Sequence, residues 1–245
     1  MPPVSGQASD PTAAERREQL RQVYLQARGC VRCAELAATR KNVVFGAGNA
    51  DAELMFIGEA PGATEDELGI PFVGRAGKLL DTLLAEIGQE RGDVWISNVL
   101  RCRPPGNRDP LPVEITNCEE YLMSQVELIQ PTVICTLGNF STKLLRGDPT
   151  GITKLHGRPE ILQLGARAVR LYPIYHPAAA LYTPSMLATL REDFSRLPEL
   201  LAQGAPAQPP PMQAAPAIPA PPAPRTEPVT PPASDPPPID QLGLF

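Results

Sequence analysis

The sequence lacks any apolar run of the roughly 20 residues needed to cross a bilayer. Its first residues also lack the basic-then-apolar pattern of a secretory signal, so we expect a cytoplasmic protein. Structural disulfide bonds are rare in that compartment. The five cysteines of the chain therefore need another explanation.

An excess of positive charge is also missing. The chain has 22 Lys and Arg residues against 27 Asp and Glu residues, which gives a formal net charge of −5. This balance argues against a protein that coats polyanions in general, because such binding depends on many cations. A small basic patch remains compatible with it.

Aromatic residues are almost absent after residue 200, where Phe245 is the only one, while 15 of the 31 prolines lie there. A segment of this composition cannot bury a core and is predicted to be disordered. We therefore predict four parts: a disordered leader (1–12), a globular domain (13–201), a disordered Pro/Ala-rich linker (202–240) and a terminal peptide (241–245).

Strand and helix patterns alternate along the globular part. Apolar runs at 54–57, 94–99 and 132–137 predict strands, and 161–162 with 168–175 predict a fourth strand region. Helical spacing occurs at 13–27, 77–87, 112–129, 141–145 and 178–201. This order predicts an α/β fold with a mostly parallel sheet covered on both faces. Ligand sites in such sheets lie beyond the carboxyl ends of the strands.

Four of the cysteines are candidates for a metal centre. Cys30 and Cys33 form a C-x2-C pair, and Cys102 and Cys118 follow further along the chain. Four thiolates suit either zinc or an iron–sulfur cluster, and the spacing alone does not decide between them. Cys135 lies inside a predicted strand and is interpreted as a small core residue.

Four sequence strings resemble those of a family 4 uracil-DNA glycosylase: GEAPG (58–62), PFVGRAGKLLD (71–81), SNVLRCRPPGNR (97–108) and YHPAAAL (175–181). The resemblance covers about residues 20–200. It implies a three-layer α/β/α sandwich with a central, mostly parallel four-stranded sheet. It also implies a structural [4Fe–4S] cluster rather than zinc, with these ligands: Cys30, Cys33, Cys102 and Cys118.

The family resemblance implies a monofunctional enzyme of base excision repair, active on single- or double-stranded DNA. Such an enzyme flips deoxyuridine out of the stack, hydrolyses the N-glycosidic bond and leaves an abasic site. The resemblance assigns three roles. His176 stabilises the departing base by donating a hydrogen bond, Asn98 reads the uracil edge, and Phe72 stacks on the flipped base.

Residues Gly58, Glu59 and Ala60 resemble the start of the family's water-activating loop. Ala60 stands where better-known uracil glycosylases carry a water-activating Asp, so the general base stays open. Glu59 and Glu65 are the catalytic candidates, with Asp66 and backbone carbonyls as alternatives.

Three arginines beside the cysteine motif are predicted to contact DNA phosphates: Arg101, Arg103 and Arg108. Leu181 occupies the place of the wedge that fills the vacated base stack. His156 lies in a loop near the same edge, where either a phosphate contact or a purely structural role is open.

The chain ends with a peptide that resembles the bacterial sliding-clamp-binding motif, in which four positions match: Gln241, Leu242, Leu244 and Phe245. A Pro-rich linker of about 36 residues could reach roughly 110 Å at ~3.1 Å per residue. We therefore expect a monomeric enzyme that is tethered to a clamp at the nucleoid. Two alternatives are a non-catalytic uracil-DNA-binding or repair-scaffold protein and, on the cysteines alone, an iron–sulfur electron carrier.

Overall fold

The computed structural model describes residues 11–210. Most of the predicted leader and linker, and the whole terminal peptide 241–245, lie outside the described residues. The helices are α1 (Ala13–Arg28), α2 (Ala34–Thr39), α3 (Ala63–Leu68), α4 (Arg75–Glu86), α5 (Pro112–Ile129), α6 (Asn139–Arg146), α7 (Ile152–Leu155), α8 (Pro177–Ala180), α9 (Pro184–Ser195) and α10 (Leu197–Ala202). The strands are β1 (Ala47–Gly48), β2 (Leu54–Gly58), β3 (Trp95–Asn98), β4 (Val133–Leu137), β5 (Glu160–Leu164) and β6 (Arg167–Ile174).

The sheet has the order β1-β3-β2-β4-β6-β5. Strands β3, β2, β4 and β6 pair in parallel, which confirms the predicted four-stranded parallel core. The edge strands β1 and β5 pair antiparallel with β3 and β6. Residues 161–162 therefore form a separate strand that joins β6 through a tight turn, in which Gly165 has a φ of 57°.

Two buried clusters cover the two faces of the sheet and make it the middle of three layers. On one face, Met55, Ile57 and Ile134 pack with residues of α1, α2, α5 and α6. On the other face, the intervening strand residues pack with α4, α8, α9 and α10. Side chains alternate between the faces of a strand, so strands buried on both sides are apolar throughout. Cys135 is fully buried in the second cluster, as interpreted from the sequence.

The predicted helix at 178–201 is three helices in the structure. The chain leaves the helical conformation at Thr183, which has extended backbone angles. Pro184 causes this break, because a residue before proline is sterically pushed out of the helical region. The break leaves α8 as a short helix at the carboxyl end of β6.

Within residues 11–210 no helix is long and apolar enough to cross a membrane.

Candidate functional site

A cavity of about 200 Å³ opens beyond the carboxyl ends of β2, β3 and β6. It brings together several residues that are far apart in the sequence, and its lining consists of Ala60, Gly62, Glu65, Phe72, Ala76, Asn98 and His176. Five of these residues are predicted site residues. The cavity is therefore the place where the predicted substrate-binding groups meet, and we call it the base cavity.

Phe72 is held at the cavity in a conformation that few non-glycine residues adopt, with a φ of 53°. The guanidinium of Arg91 donates hydrogen bonds to the carbonyl oxygens of Pro71 and Phe72. Gly77 lets α4 approach this loop, because a Cβ there would lie 1.6 Å from the Phe72 oxygen. The Phe72 ring stacks on His176 with a centroid distance of 5.6 Å and an interplanar angle of 28°.

Asn98 is the last residue of β3 and is 2% exposed. Its side-chain Oδ1 is buried and has no hydrogen-bond partner within residues 11–210. Gly58 lies opposite Asn98 in the parallel register, and a Cβ there would lie 2.5 Å from Oδ1 and 2.6 Å from Phe72 Cζ. A glycine at position 58 therefore leaves room for the Asn98 amide and the Phe72 ring at the same edge.

His176 precedes α8 and caps its first turn. Its Nδ1 accepts a hydrogen bond from the backbone N–H of Ala178 at 3.1 Å, so the neutral ring carries its proton on Nε2. Burial lowers the pKa of His176 to about 4, against an opposing effect of Glu65. The imidazole is therefore neutral at pH 7 and offers the cavity a neutral N–H donor.

Glu65 holds the Phe72 loop. Its Oε1 accepts hydrogen bonds from the backbone N–H groups of Val73 at 3.1 Å and Gly74 at 2.8 Å. A Cβ at Gly62 would lie 2.7 Å from Oε2, so this glycine admits the carboxylate. Since one carboxylate oxygen is engaged with two amides, Glu65 fixes the loop that carries the stacking ring.

Glu59 lines a second cavity of about 320 Å³. His176 lines both this cavity and the base cavity, so it lies between them. Asp109 lines the same second cavity. The pKa of Glu59 is raised because burial disfavours its charged form, and the negative charge of Asp109 adds to the effect. A carboxylate with a raised pKa is a better proton acceptor, which is a property required of a general base.

The four predicted cysteine ligands pack around one hydrophobic cluster: Cys30, Cys33, Cys102 and Cys118. Two of their sulfur atoms receive N–H donors. Arg40 Nη1 lies 3.2 Å from Cys102 Sγ, and Asn117 Nδ2 lies 3.4 Å from Cys33 Sγ. Hydrogen bonds to sulfur are typical of iron–sulfur ligand sets. Within the described residues, no group of three or more His, Cys, Asp or Glu side chains is arranged to hold a metal ion.

Comparison with known proteins agrees with this geometry. Residues 45–199 match the family model described as the uracil DNA glycosylase superfamily. The matched range contains all seven residues that line the base cavity. The chain belongs to the uracil-DNA glycosylase superfamily.

Among its relatives in this superfamily are type-4 uracil-DNA glycosylases. The chain is 42% identical over 193 residues to that of Archaeoglobus fulgidus, a match that covers 77% of this chain and 96% of the relative. Against the type-4 enzyme of Sulfurisphaera tokodaii the identity is 47% over 176 residues, covering 70% and 80% of the two chains. Against that of Thermotoga maritima it is 44% over 164 residues, covering 66% and 83%.

One predicted DNA contact of this superfamily member is wrong. Arg101 is 1% exposed, so its side chain cannot reach a phosphate from the surface. Its guanidinium donates to the backbone oxygen of Asn98 and, at 2.9 Å, to Gln125 Oε1. Burial lowers the pKa of Arg101 to about 10, which leaves it charged at pH 7. Arg101 fixes the main chain at Asn98, next to the side-chain amide that lines the base cavity.

The other predicted DNA contacts lie outside the base cavity. Arg108 is held by two carboxylates, at 2.6 Å from Glu114 and 2.7 Å from Glu35, so much of its charge is already balanced. Arg103 is partly exposed and donates to Asn107 Oδ1 at 2.8 Å. Leu181 is partly exposed at the end of α8, on the same side of the sheet as His176.

Two residues near the site, Gln125 and Asp109, were not predicted from the sequence. Gln125 is fully buried and bonds to Ser97, Arg101 and the backbone oxygen of Phe45, although its helix looks ordinary in sequence. Asp109 directly follows the SNVLRCRPPGNR string, which is a signal that could have found it. The predicted His156 contacts buried Asp193, with Nδ1 3.0 Å from Oδ2, which supports a structural role for this histidine.

Proposed function

We propose that this protein hydrolyses the N-glycosidic bond of deoxyuridine in DNA, and that it releases uracil from the base cavity. Its membership of the superfamily and its type-4 relatives support this function. The observation that carries it in the structure is the buried, unpaired Oδ1 of Asn98 beside Phe72 and the neutral His176. A buried acceptor without a partner costs about 1–3 kcal/mol, and a bound ligand with a matching donor recovers that cost.

The Asn98 amide reads the edge of uracil. Oδ1 accepts a hydrogen bond from the ring N–H of uracil, and Nδ2 donates to the neighbouring carbonyl. Cytosine has an acceptor nitrogen and an amino group at the corresponding positions. An amide held in this orientation therefore meets donor with donor and acceptor with acceptor, and cytosine is rejected.

His176 stabilises the departing base. As the glycosidic bond breaks, negative charge develops on the uracil carbonyl oxygens. The Nε2–H of His176 donates to one of these oxygens, and the ring is a neutral donor because burial keeps its pKa near 4. It acts by hydrogen bonding and not by transferring a proton, since the ring stays neutral throughout.

Glu59 activates the attacking water in this proposal. It lines the cavity next to His176, and its raised pKa brings it closer to the working pH of a general base. Glu65 positions the stacking loop, because its Oε1 is occupied by two backbone N–H donors. Of the candidates for the general base that the sequence left open, we propose Glu59.

The four predicted cysteine ligands hold a [4Fe–4S] cluster in this proposal. Their all-sulfur donor set, their shared packing and the N–H donors from Arg40 and Asn117 support it. When bound, the cluster supplies structural cross-linking. Its ligands would tie the segment after α1 to the loop after β3 and to α5, the region that also carries Arg101.

The terminal peptide is proposed to bind the bacterial sliding clamp, through Gln241, Leu242, Leu244 and Phe245. A tether of this kind raises the effective concentration of the enzyme near DNA without requiring a basic surface. This agrees with the net charge of −5. In this proposal the enzyme is a monomer that the clamp recruits to the nucleoid in the cytoplasm.

The test is uracil release from a labelled oligonucleotide with one deoxyuridine, followed by alkaline cleavage of abasic sites. Wild type should turn over on uracil, and not on cytosine or thymine. We expect Asn98→Ala and His176→Ala to lower single-turnover excision by about 100- to 1,000-fold, the cost of removing one transition-state hydrogen-bond donor. Tight binding of uracil-DNA without release would instead support the non-catalytic binding protein.

A further inference from the structure

Tyr182 is an aromatic residue whose side chain is largely exposed to solvent. It is 71% exposed, and it is the one aromatic side chain among the large exposed hydrophobic residues of the described part of the chain. It lies in the three-residue break between α8 and α9. Tyr182 is not among the site residues predicted from the sequence, and it has no role in the proposed reaction.

Tyr182 is paired with Arg75, the first residue of α4. The guanidinium carbon of Arg75 lies 5.3 Å from the centroid of the Tyr182 ring, and its Nη2 donates to the Tyr182 hydroxyl. Arg75 is itself exposed, and no carboxylate within residues 11–210 forms an ion pair with it. Its charge is therefore free to attract an anion.

The pair lies at the rim of the base cavity. Arg75 directly precedes Ala76, which lines the cavity, and Tyr182 follows the short helix α8 that His176 caps. Helices α4 and α8 pack against each other, so the two rim residues bridge the elements that carry the cavity walls. We call Arg75 and Tyr182 the rim pair.

Lys78 adds a second positive charge near the rim pair. Lys78 lies three residues after Arg75 on α4, which places the two side chains on one face of the helix. Lys78 is exposed and is also without a carboxylate partner in the described part of the chain. Cations in the first turn of a helix are unfavourable because that end carries partial positive charge. The arrangement thus concentrates positive potential beside the cavity mouth.

We propose that the rim pair binds the DNA strand next to the flipped nucleotide, with the Tyr182 ring stacked on the neighbouring base and Arg75 on a phosphate. An exposed aromatic ring combined with an arginine that has no carboxylate partner is a combination by which proteins hold single-stranded nucleic acid. This inference rests on the proposed function, and it assigns strand contact to Tyr182 and Arg75 in addition to Leu181.

The test measures binding instead of catalysis, so that it stands apart from the test of uracil release. The probe is a single-stranded oligonucleotide with a non-cleavable abasic-site analogue and 2-aminopurine as the adjacent base. Tyr182→Ala should weaken the affinity about fivefold to a hundredfold, the range of one base stacked on an aromatic ring. It should also relieve the quenching of 2-aminopurine by the wild-type protein. Tyr182→Phe keeps the ring and should stay close to wild type in both measurements.

Arg75→Gln tests the phosphate contact independently. It should reduce the slope of log affinity against log salt concentration by about 0.7, the value for one phosphate contact to single-stranded nucleic acid. Two exposed residues outside this rim serve as matched controls. Ile161→Ala matches Tyr182 in exposure, and Arg28→Gln removes an exposed arginine from α1, in the opposite helix layer.

Wild-type affinity and quenching in Tyr182→Ala, or equal losses in Tyr182→Ala and Ile161→Ala, would overturn the stacking role. An unchanged salt slope in Arg75→Gln would overturn the phosphate role. Failure of the wild-type protein to release uracil would count against the proposed function, while these binding results would still decide the role of the rim pair.

Discussion

The proposed role of Asn98 depends on a side-chain hydrogen-bond acceptor that no other described residue uses. Its Oδ1 is buried beside Gly58 and has no partner within residues 11–210, while Arg101 holds its backbone oxygen from below. The sequence placed Asn98 at the end of a strand and, through the family resemblance, at the uracil edge. It placed Arg101 wrongly at the DNA surface, because an arginine next to a basic motif looks solvent-exposed until its burial is known.

The protonation state of His176 can be tested directly. Because burial lowers its folded-state pKa to about 4, the ring should not titrate between pH 8 and pH 5.5. Histidine-labelled NMR should show a neutral ring protonated on Nε2 throughout that range. The chain has only two histidines, so His156→Gln assigns the signals. A midpoint near the ordinary value of about 6.5 would contradict the assigned role.

The same shift has a consequence for stability. An unfolded histidine with a pKa of about 6.5 binds a proton before the folded one does, so the free energy of unfolding falls as the pH drops from about 6.5 to 4. Above that window His176 contributes no pH dependence. Replacement by Asn should flatten the dependence within the window and leave it unchanged at pH 7 to 8.

At the scale of elements, the cavity depends on how closely α4 approaches the Phe72 loop. Gly77 allows this approach, Arg91 bonds to the loop carbonyls, and Glu65 bonds to its amides. The helical spacing at 77–87 predicted α4 but not its start at Arg75, and not the division of 178–201 into three helices. Helix ends depend on local proline and tertiary contacts that periodicity does not contain.

Gly77→Ala tests this packing. A Cβ at position 77 would lie 1.6 Å from the Phe72 carbonyl oxygen, a backbone atom, so the loop or α4 has to move. We expect the free energy of unfolding to fall by about 1–3 kcal/mol and uracil excision to fall with it. Urea unfolding and single-turnover excision measure the two effects. Gly92→Ala is the matched control, because nothing lies within 4 Å of a Cβ there, and it should change stability by less than about 0.5 kcal/mol.

At the scale of the whole molecule, the four cysteines come from segments that are distant in sequence. These segments pack together on one face of the sheet. Their C-x2-C spacing indicated a metal centre and left zinc and iron–sulfur open. The geometry adds N–H donors to two of the sulfur atoms, and among residues 11–210 no three metal-ligating side chains are grouped to hold a metal.

Protein purified without oxygen should contain about four iron and four sulfide per chain and show visible absorption. Cys102→Ser should lose this absorption and unfold at a lower temperature, because the tie between the loop after β3 and the segment after α1 is gone. Cys135→Ser should retain the iron, since Cys135 belongs to the opposite hydrophobic cluster. Loss of iron from Cys135→Ser alone would contradict the ligand assignment.

Removal of residues 241–245 tests the tether. A chain that ends at residue 240 should lose capture by an immobilised bacterial sliding clamp, and it should excise uracil from short oligonucleotides at the wild-type rate. Leu242→Ala with Leu244→Ala should act like the deletion, whereas Gly243→Ser should still be captured, because Gly243 is not one of the four positions that match the motif. Slower excision from short oligonucleotides would show that the peptide serves the catalytic domain itself.

The amino-acid sequence was enough to predict the α/β class, the parallel core of four strands and the strand-end positions of Asn98 and His176, and it contains the cysteine spacing directly. These features follow from local periodicity, from turn residues and from spacing, all of which are written along the chain. Other features became visible in the folded chain: Arg101 is buried, Glu65 holds a loop, Glu59 lies by the second cavity, and Tyr182 is exposed at the rim. Burial, hydrogen-bond partners and pKa shifts depend on contacts between distant segments, and such contacts exist only once the chain has folded.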